Sequence, residues 1–282
     1  MNTLQKIQSL NPETDYWEIA RLSSLYEFSW DNARALEFAL FRTFAVPSIS
    51  KILDKSGEFG NRPQKRYDDT DLILSEILEN GLESERGKAA LSKLNFIHNH
   101  FKISNEDFLY VLTTFVIEPA KWIDKYGYRK LTVAEKIAGV KVWQEIGAGM
   151  GIQNIPEDLE GFQKYNREYE EQYFVFSETN QRVALATENL MLGWFLPKPL
   201  WEVAREFIHV FMDEPLLRAT GGRKSSAIVS AIVSVSFALR KMALKVLPKR
   251  SKPLLRTKLE RKETYPKGYT VEELGSIPYK KP

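Results

Sequence analysis

The pattern of hydrophobic and polar positions along this chain predicts helices almost throughout. Apolar residues recur at the helical spacing of i, i+3, i+4 and i+7, whereas the strict alternation typical of strands is nearly absent. Candidate helix ends agree, because Ser104 and Thr132 each precede an acidic side chain by three residues, and Gly81 and Gly127 follow periodic segments. We therefore expect an all-α protein, with Pro119 opening a new helix and with helices over residues 31–45, 68–80, 84–102, 105–118, 119–126, 132–149, 156–176, 179–195, 199–213 and 225–247.

The composition is that of a globular protein and limits the chemistry open to it. The chain has 282 residues, 43% of them hydrophobic, so a sizeable core can form. It has no cysteine, which excludes disulfides, zinc–thiolate sites, iron–sulfur clusters and a thiolate ligand to haem. The net charge of +3 is too small to indicate nucleic-acid binding. A metal would have to use carboxylates, tyrosines or one of three histidines, His98, His100 and His209.

The segment around His98 holds a candidate metal ligand. Leu91, Leu94, His98 and Phe101 follow one another at spacings of three, four and three, so they form one face of a helix. His98 should then point into the core, whereas His100 lies about 200° further round and should point away. Burial favours the neutral imidazole, which can donate a lone pair to iron. Spacing alone favours a buried, hydrogen-bonded histidine, and iron ligation stays open as the alternative.

A second cluster lies at the start of the helix expected over residues 68–80. If helical geometry extends back to Arg66, then Arg66 and Thr70 share a face at i, i+4. An arginine beside a hydroxyl can donate hydrogen bonds to a carboxylate or to a polarised dioxygen in a dry pocket. The alternative, which spacing alone favours, is that Asp68 and Asp69 only cap the helix.

Other metal and catalytic motifs are incomplete or missing. Glu206 and His209 match the Glu-x-x-His motif of di-iron carboxylate bundles, but such a site needs two of these motifs. Neither His98 nor His100 has a glutamate three residues earlier. The sequence also lacks a His-Glu-x-x-His motif, a phosphate-binding glycine-rich loop and a Gly-x-Ser-x-Gly motif. We therefore do not expect a di-iron centre, a zincin or a serine hydrolase.

The C-terminal part has two features of its own. Residues 225–239 carry no charge, but the segment 225–247 is too short to span a bilayer, so we predict a packed core helix, with a helix at a membrane interface as the alternative. From Lys249 onward the sequence is basic and interrupted by prolines, which favours a solvated extension over a tail that binds anionic lipid. We divide the chain into an all-α domain, residues 1–248, and a basic C-terminal extension, residues 249–282, packed on or trailing from it.

The rest of the sequence predicts a cytoplasmic protein. The N-terminal residues have no apolar stretch resembling a secretory signal, and no segment reaches the roughly 20 consecutive apolar residues of a spanning helix. Peripheral membrane contact through residues 225–262 stays open.

Several separate motifs together resemble the MpaB and rubber oxygenase (latex clearing protein) family. They occur in order and at natural spacing between about residue 11 and residue 275, and their agreement makes the resemblance specific. They are Arg66-Tyr67-Asp68-Asp69-Thr70, Glu85-Arg86-Gly87, Asn95-Phe96-Ile97-His98, Ile103-Ser104-Asn105-Glu106-Asp107-Phe108-Leu109-Tyr110-Val111-Leu112, Glu118-Pro119, Tyr128-Arg129-Lys130-Leu131-Thr132 and Met212-Asp213-Glu214-Pro215-Leu216-Leu217.

The resemblance implies a single large all-α domain that encloses haem b. It also implies an enzyme that uses dioxygen to cleave or oxidise a carbon–carbon double bond of an apolar, isoprenoid-like substrate. On this basis His98 is the proximal iron ligand and binds the cofactor. Arg66 and Thr70 match the family's arginine and threonine on the distal helix, which makes them the candidate catalytic residues, and Arg66 also contacts the haem.

One position departs from the family pattern. Rubber-cleaving members resemble this chain but carry a lysine just before the threonine, where this chain has Asp69. Because a carboxylate cannot replace a neutral amine ligand, this departure argues against cleavage of polyisoprene. The similarity to the fungal MpaB-like branch of the family implies a small, apolar, prenylated substrate instead. Two other functions stay open, a haem-binding protein without turnover and a helical membrane-surface protein without a cofactor.

Overall fold

The structure is a computed structural model that describes residues 2–261 and 263–277, and these residues form helices and connecting segments without a strand. The prediction of an all-α fold is confirmed. A π-helical turn, Leu22–Glu27, joins the second and third helices. The α-helices in the described part are α1 (Thr3–Ser9), α2 (Tyr16–Arg21), α3 (Ser29–Phe44), α4 (Pro47–Ser56), α5 (Glu58–Asn61), α6 (Pro63–Asn80), α7 (Glu85–His98), α8 (Asn105–Tyr126), α9 (Val133–Gly149), α10 (Leu159–Tyr173), α11 (Glu178–Gly193), α12 (Trp201–His209), α13 (Glu214–Thr220) and α14 (Ala227–Val246).

Local sequence signals set many of the helix ends. Thr132 and Glu135 form a reciprocal capping box at the start of α9, and Gly81 and Gly127 follow α6 and α8 directly. The predicted break at Pro119 is wrong, because α8 continues through it. A proline inside a helix removes one backbone hydrogen bond, but both halves of α8 are buried, so tertiary packing holds them in line. Helices α1, α2, α4, α5 and α13 were not predicted from the sequence, and each has ten residues or fewer.

The long helix α8 lies at the centre of the molecule and packs against α3, α9 and α10. On one side Phe41 and Phe44 of α3 share a hydrophobic core with Trp122 and Ile123 of α8. On the other side α8 packs against α9 and the partly buried leucines of α7. Burying an aromatic or aliphatic side chain contributes about 1.5–3 kcal/mol, so these two cores make α8 a rigid support for the helices around it.

Helices α6 and α7 form an antiparallel pair joined by a tight turn. Gly81 ends α6 with φ +81°, which a residue with a side chain rarely adopts. A Cβ atom on Gly87 would collide with the Gly81 carbonyl, so glycine is needed where the turn meets α7. Arg66 and His98 each lie 16 residues from Leu82 in the sequence. The antiparallel pairing therefore brings the N-terminal half of α6 level with the C-terminal end of α7.

The C-terminal segment packs onto the acidic side of α6. Arg256 and Arg261 pair with Asp71, and Arg261 also pairs with Asp68 at 3.3 Å. The buried Lys93 of α7 donates to backbone carbonyls of residues 272 and 277, at 3.0 and 2.9 Å. Arg256 and Arg261 of the extension are therefore not solvated side chains, because they meet carboxylates about 190 residues away in the sequence, a pairing that no local pattern reveals.

Helix α14 is not the core helix that its composition predicts. Val233 is its only fully buried residue, whereas Ile228 and Val246 are 73% and 84% exposed. The segment was also expected to be too short to span a bilayer. That is wrong on length and composition, since α14 has 20 residues and contains an 18-residue stretch with a mean hydropathy of 1.7. Apolar composition did not translate into burial because only one side of α14 has a neighbour.

Candidate active site

A cavity of about 200 Å³ lies among α3, α4, α6, α7, α8 and α9. Most of its wall is apolar, and residues from distant parts of the sequence build it. Four of the few polar side chains on the wall are Arg66, Asp69, Thr70 and His98. Three of these, Arg66, Thr70 and His98, are the site residues predicted from the sequence, so the fold brings all three to one cavity. Apolar side chains on the wall include Phe44, Ile49, Ile73, Leu94, Phe108 and Ile146.

His98 is the last residue of α7 and borders the cavity. Its Nδ1 atom is buried and has no hydrogen-bond partner within the described part of the chain. The Phe108 ring lies against the imidazole with 5.2 Å between ring centroids. Burial, together with the nearby charge of Arg66, lowers the pKa of His98 from 6.5 to about 4. The imidazole is therefore neutral at physiological pH and has a lone pair to donate.

Arg66 and Thr70 interact directly on α6. The helix begins at Pro63, so helical geometry does extend back to Arg66. The Arg66 guanidinium donates to Thr70 Oγ1, and this hydroxyl donates to the Arg66 carbonyl at 2.9 Å. The guanidinium also lies 5.4 Å from the centroid of the Phe59 ring. Burial lowers the pKa of Arg66, although arginine stays charged in proteins. The cavity thus has a fixed cationic donor with a hydroxyl beside it.

Asp68 and Asp69 do not cap α6, because they lie beyond its first turn. Asp69 accepts hydrogen bonds from Lys65 Nζ at 2.9 Å to each carboxylate oxygen, and a further one from the Tyr265 hydroxyl. Asp68 accepts from Thr264 Oγ1 at 2.6 Å. The two carboxylates therefore hold the C-terminal segment against α6, and the charge of Asp69 is balanced by Lys65.

The other two histidines are already engaged by protein groups. His209 is buried, with Nδ1 2.8 Å from the Arg223 carbonyl and Nε2 3.1 Å from a Glu188 carboxylate oxygen. His100 is exposed, and its Nδ1 lies 2.7 Å from the Phe96 carbonyl. Within residues 2–261 and 263–277, no group of three His, Asp or Glu side chains is arranged to hold a metal ion. A metal centre at the cavity would therefore depend on the single imidazole of His98.

Sequence reasoning missed the contribution of the C-terminal segment to the cavity. Gly275 and Ser276 form part of its wall, and Tyr265 binds Asp69 at its edge. No spacing or motif links this segment to His98. Its place depends on the tertiary ion pairs of α6, which only the folded chain shows.

Several of the motif residues have structural roles away from the cavity. The Arg42 guanidinium of α3 is buried and binds Glu170 at 2.6 Å and Asp213 at 2.7 Å, with Glu118 at 3.7 Å. These contacts tie α8, α10 and the start of α13 to α3. The Glu118-Pro119 and Asp213-Glu214-Pro215 motifs are therefore explained by the support of the fold rather than by chemistry.

Comparison with known proteins identifies the class to which this fold and cavity belong. The family described as ER-bound oxygenase mpaB/B'/Rubber oxygenase, catalytic domain, matches residues 21–240. The chain is 31% identical over 230 residues to the ER-bound oxygenase mpaB' of Penicillium brevicompactum, covering 75% of this chain and 54% of that protein. It is 30% identical over 226 residues to the ER-bound oxygenase mpaB of Penicillium roqueforti, covering 73% of this chain and 75% of that one.

The chain belongs to the MpaB and rubber oxygenase catalytic-domain family. The resemblance inferred from the motifs is confirmed. The family is one of oxygenases, which are oxidoreductases that use dioxygen and an organic substrate. The chain spans about half the length of the first of these relatives.

Proposed function

We propose that this protein binds haem b through His98 and uses dioxygen to cleave or oxidise a carbon–carbon double bond of a small, apolar, isoprenoid-like substrate. The observation that carries the proposal is a neutral imidazole with an unpartnered ring nitrogen, on the wall of an apolar cavity that also holds Arg66. A buried polar atom without a partner costs about 1–3 kcal/mol, and no hydrogen bond within the described residues offsets that cost at Nδ1 of His98. The ring thus lacks the hydrogen bonds that hold a structural histidine such as His209, which favours a role as a ligand.

The described residues fit a haem in donor set and in polarity. Porphyrin supplies four ligands, so one protein imidazole suffices, and one is what the cavity offers. The cavity of about 200 Å³ is smaller than the roughly 300–1,000 Å³ of typical small-molecule sites. Binding a macrocycle would therefore require its wall to open. That wall includes residues 275 and 276 of the C-terminal segment, which directly follow Leu274, a residue buried in a small hydrophobic cluster with Leu72 and Ile73 of α6.

Each of the three site residues has a role that follows from its surroundings. When bound, the haem would supply the iron at which dioxygen is activated. His98 donates the lone pair of its neutral imidazole. Arg66 donates hydrogen bonds to polar oxygen atoms that enter the cavity, and Thr70, which accepts from the guanidinium and donates to the Arg66 carbonyl, keeps Arg66 oriented. The apolar wall holds the alkene and excludes water, which strengthens these hydrogen bonds.

The proposal extends to the substrate and to the place where the protein works. Asp69 is bound by Lys65 and Tyr265, so it is neither free nor chemically suited to replace the lysine of rubber-cleaving members. This favours a small prenylated compound over polyisoprene. The relatives are named as ER-bound oxygenases, and we place this chain inside the cell, in contact with a membrane.

Haem binding is tested by a His98→Ala variant, with His100→Ala as the matched control. Both proteins are purified haem-free and titrated with haemin while the Soret band is recorded. We expect saturable binding by the wild type and the control, and a shifted band with at least about tenfold weaker binding for His98→Ala. No Soret change between the wild type and His98→Ala would refute the ligand assignment. His209 is a poor control, since its removal breaks a buried hydrogen-bond network.

Turnover is tested separately from binding. The haem-loaded protein is incubated with farnesyl-type and geranyl-type compounds under air and under nitrogen, and the products are analysed for carbonyl fragments or oxidised chains. Products that require oxygen, haem and Arg66 support an oxygenase. A normal Soret band without oxygen-dependent loss of any alkene would indicate a haem-binding protein that does not act on such compounds.

A further inference from the structure

The outer side of α14 carries a continuous apolar stripe. Ile228, Ile232, Val235, Leu239, Met242 and Val246 follow one another at spacings of four, three, four, three and four, and each is between 49% and 84% exposed. These spacings place all six on one side of a helix. Soluble monomers rarely expose a contiguous apolar patch of this kind, and such patches mark interaction sites.

The opposite side of α14 is fixed to the protein. Arg240 makes two hydrogen bonds to the buried Asp31, at 3.0 and 2.8 Å, and its guanidinium lies 4.1 Å from the centroid of the Trp30 ring. Phe237 packs among aromatic rings, with centroids 5.9 Å from Trp122 and 4.7 Å from Tyr126. Crossing a bilayer would pull Arg240 from its partner and into hydrocarbon, which is costly. The helix is therefore long enough to span a membrane but anchored along its side.

The charge on the chain segment that carries the stripe is of one sign. Between Pro215 and Leu259 the chain has eleven Lys or Arg residues and no Asp or Glu. Some of these are used internally, such as Arg240 and Arg256. The exposed ones without an ion pair in the described structure include Arg223, Lys224, Lys245, Arg250 and Lys252. Each such residue near an anionic bilayer adds to the electrostatic attraction, which salt weakens.

We propose that the outer side of α14 docks on the surface of an anionic lipid bilayer, with the stripe entering the headgroup boundary and the helix lying in the membrane plane. An apolar stripe with basic flanks is the arrangement that an interfacial helix needs. A second copy of the chain is a worse occupant, because it would bring two unbalanced basic surfaces together. The inference specifies the surface for the proposed membrane contact, and it does not depend on haem or on turnover.

The neighbouring helix α12 extends the apolar surface. Ser225 and the start of α14 are bound to Glu206 of α12, at 2.7 Å and 3.0 Å. Val203 of α12 and Phe195 just before it are 77% and 76% exposed. Docking through both helices would give the protein two apolar contacts with its binding surface instead of one.

Vesicle binding by the purified full chain tests the proposal. The protein is sedimented with vesicles of phosphatidylcholine alone and with vesicles containing about one third phosphatidylserine. We expect binding to the anionic vesicles that falls with added salt, and at least about a tenfold lower partition coefficient for the Ile232→Asp/Leu239→Asp double variant. The matched control is Val133→Asp/Val175→Asp, which changes two exposed valines away from α14 and should bind like the wild type.

Three results would overturn the proposal. One is no binding to anionic vesicles by a folded protein. Another is a loss of binding that is equal in the control and in the stripe variant. A third is a wild-type dimer in sedimentation analysis that the stripe variant converts to a monomer, since a second copy would then cover the surface. A protein that failed to bind haem could still bind anionic vesicles, so the two proposals can fail separately.

Discussion

Replacing His98 by leucine should make the haem-free protein more resistant to acid. The imidazole is buried as its neutral form, with a pKa of about 4, while the same group in the unfolded chain has a pKa near 6.5. Below pH 6.5 the unfolded chain therefore binds a proton that the folded protein does not. The contribution of the neutral His98 to the free energy of unfolding is fully present above pH 6.5, and it is lost as the pH falls from 6.5 through 4. Leucine has a similar apolar volume and no proton to bind.

The size of the effect follows from the difference between the two pKa values. One pKa unit corresponds to about 1.36 kcal/mol, so lowering the pKa from 6.5 to about 4 corresponds to about 3 kcal/mol below pH 4. At pH 4.5 the loss of unfolding free energy caused by His98 amounts to about 2.5 kcal/mol. Glu37 acts in the opposite direction, because burial raises its pKa to about 7 and it stabilises the fold as the pH falls. That contribution is the same in both proteins and cancels in the comparison.

The assay is urea unfolding of the haem-free wild type and His98→Leu at pH 7 and pH 4.5. The wild type should lose about 2.5 kcal/mol more than the variant between the two pH values. His100→Gln, which changes an exposed histidine, should follow the wild type. Unfolding free energies of wild type and His98→Leu that fall in parallel would refute the reasoning, since the imidazole would then carry a proton as easily in the folded protein as in the unfolded chain.

Three further predictions concern the elements that position the site. Arg42→Met should lower the free energy of unfolding by about 3–5 kcal/mol, measured by urea denaturation, because it leaves buried carboxylates such as Glu170 without their cation; a loss below about 1 kcal/mol would contradict this. Gly87→Ala should cost about 1–3 kcal/mol and weaken haem binding in parallel, because its methyl group forces α7 away from the turn before it. If Gly87→Ala were destabilised but bound haem with unchanged affinity, the turn would not be what positions the site. Tyr265→Phe should speed tryptic cleavage of the C-terminal segment by removing its hydrogen bond to Asp69, with circular dichroism unchanged; equal cleavage rates would show that the segment is held elsewhere.

The sequence predicted the residues of the candidate site better than it predicted which segments are exposed at the surface. Arg66 and Thr70 were predicted to share a helical face, and His98 to point inward, from spacings alone, because a helix of 3.6 residues per turn places such residues regardless of what packs around it. The antiparallel α6–α7 pair then brings both faces to the same cavity. For the tail and α14, composition was a poor guide, because burial depends on which neighbours the fold supplies.

Local chemistry in the sequence determined the helical class, the cap at Thr132, the turn at Gly81 and the family motifs, since these depend on residues a few positions apart. Only the tertiary structure decided that the basic tail closes one side of the cavity and that α14 presents its apolar side outward. No periodic pattern in the sequence indicates ion pairs between segments nearly 200 residues apart. Nor does any such pattern show that, within the described residues, no other element covers the outer side of α14.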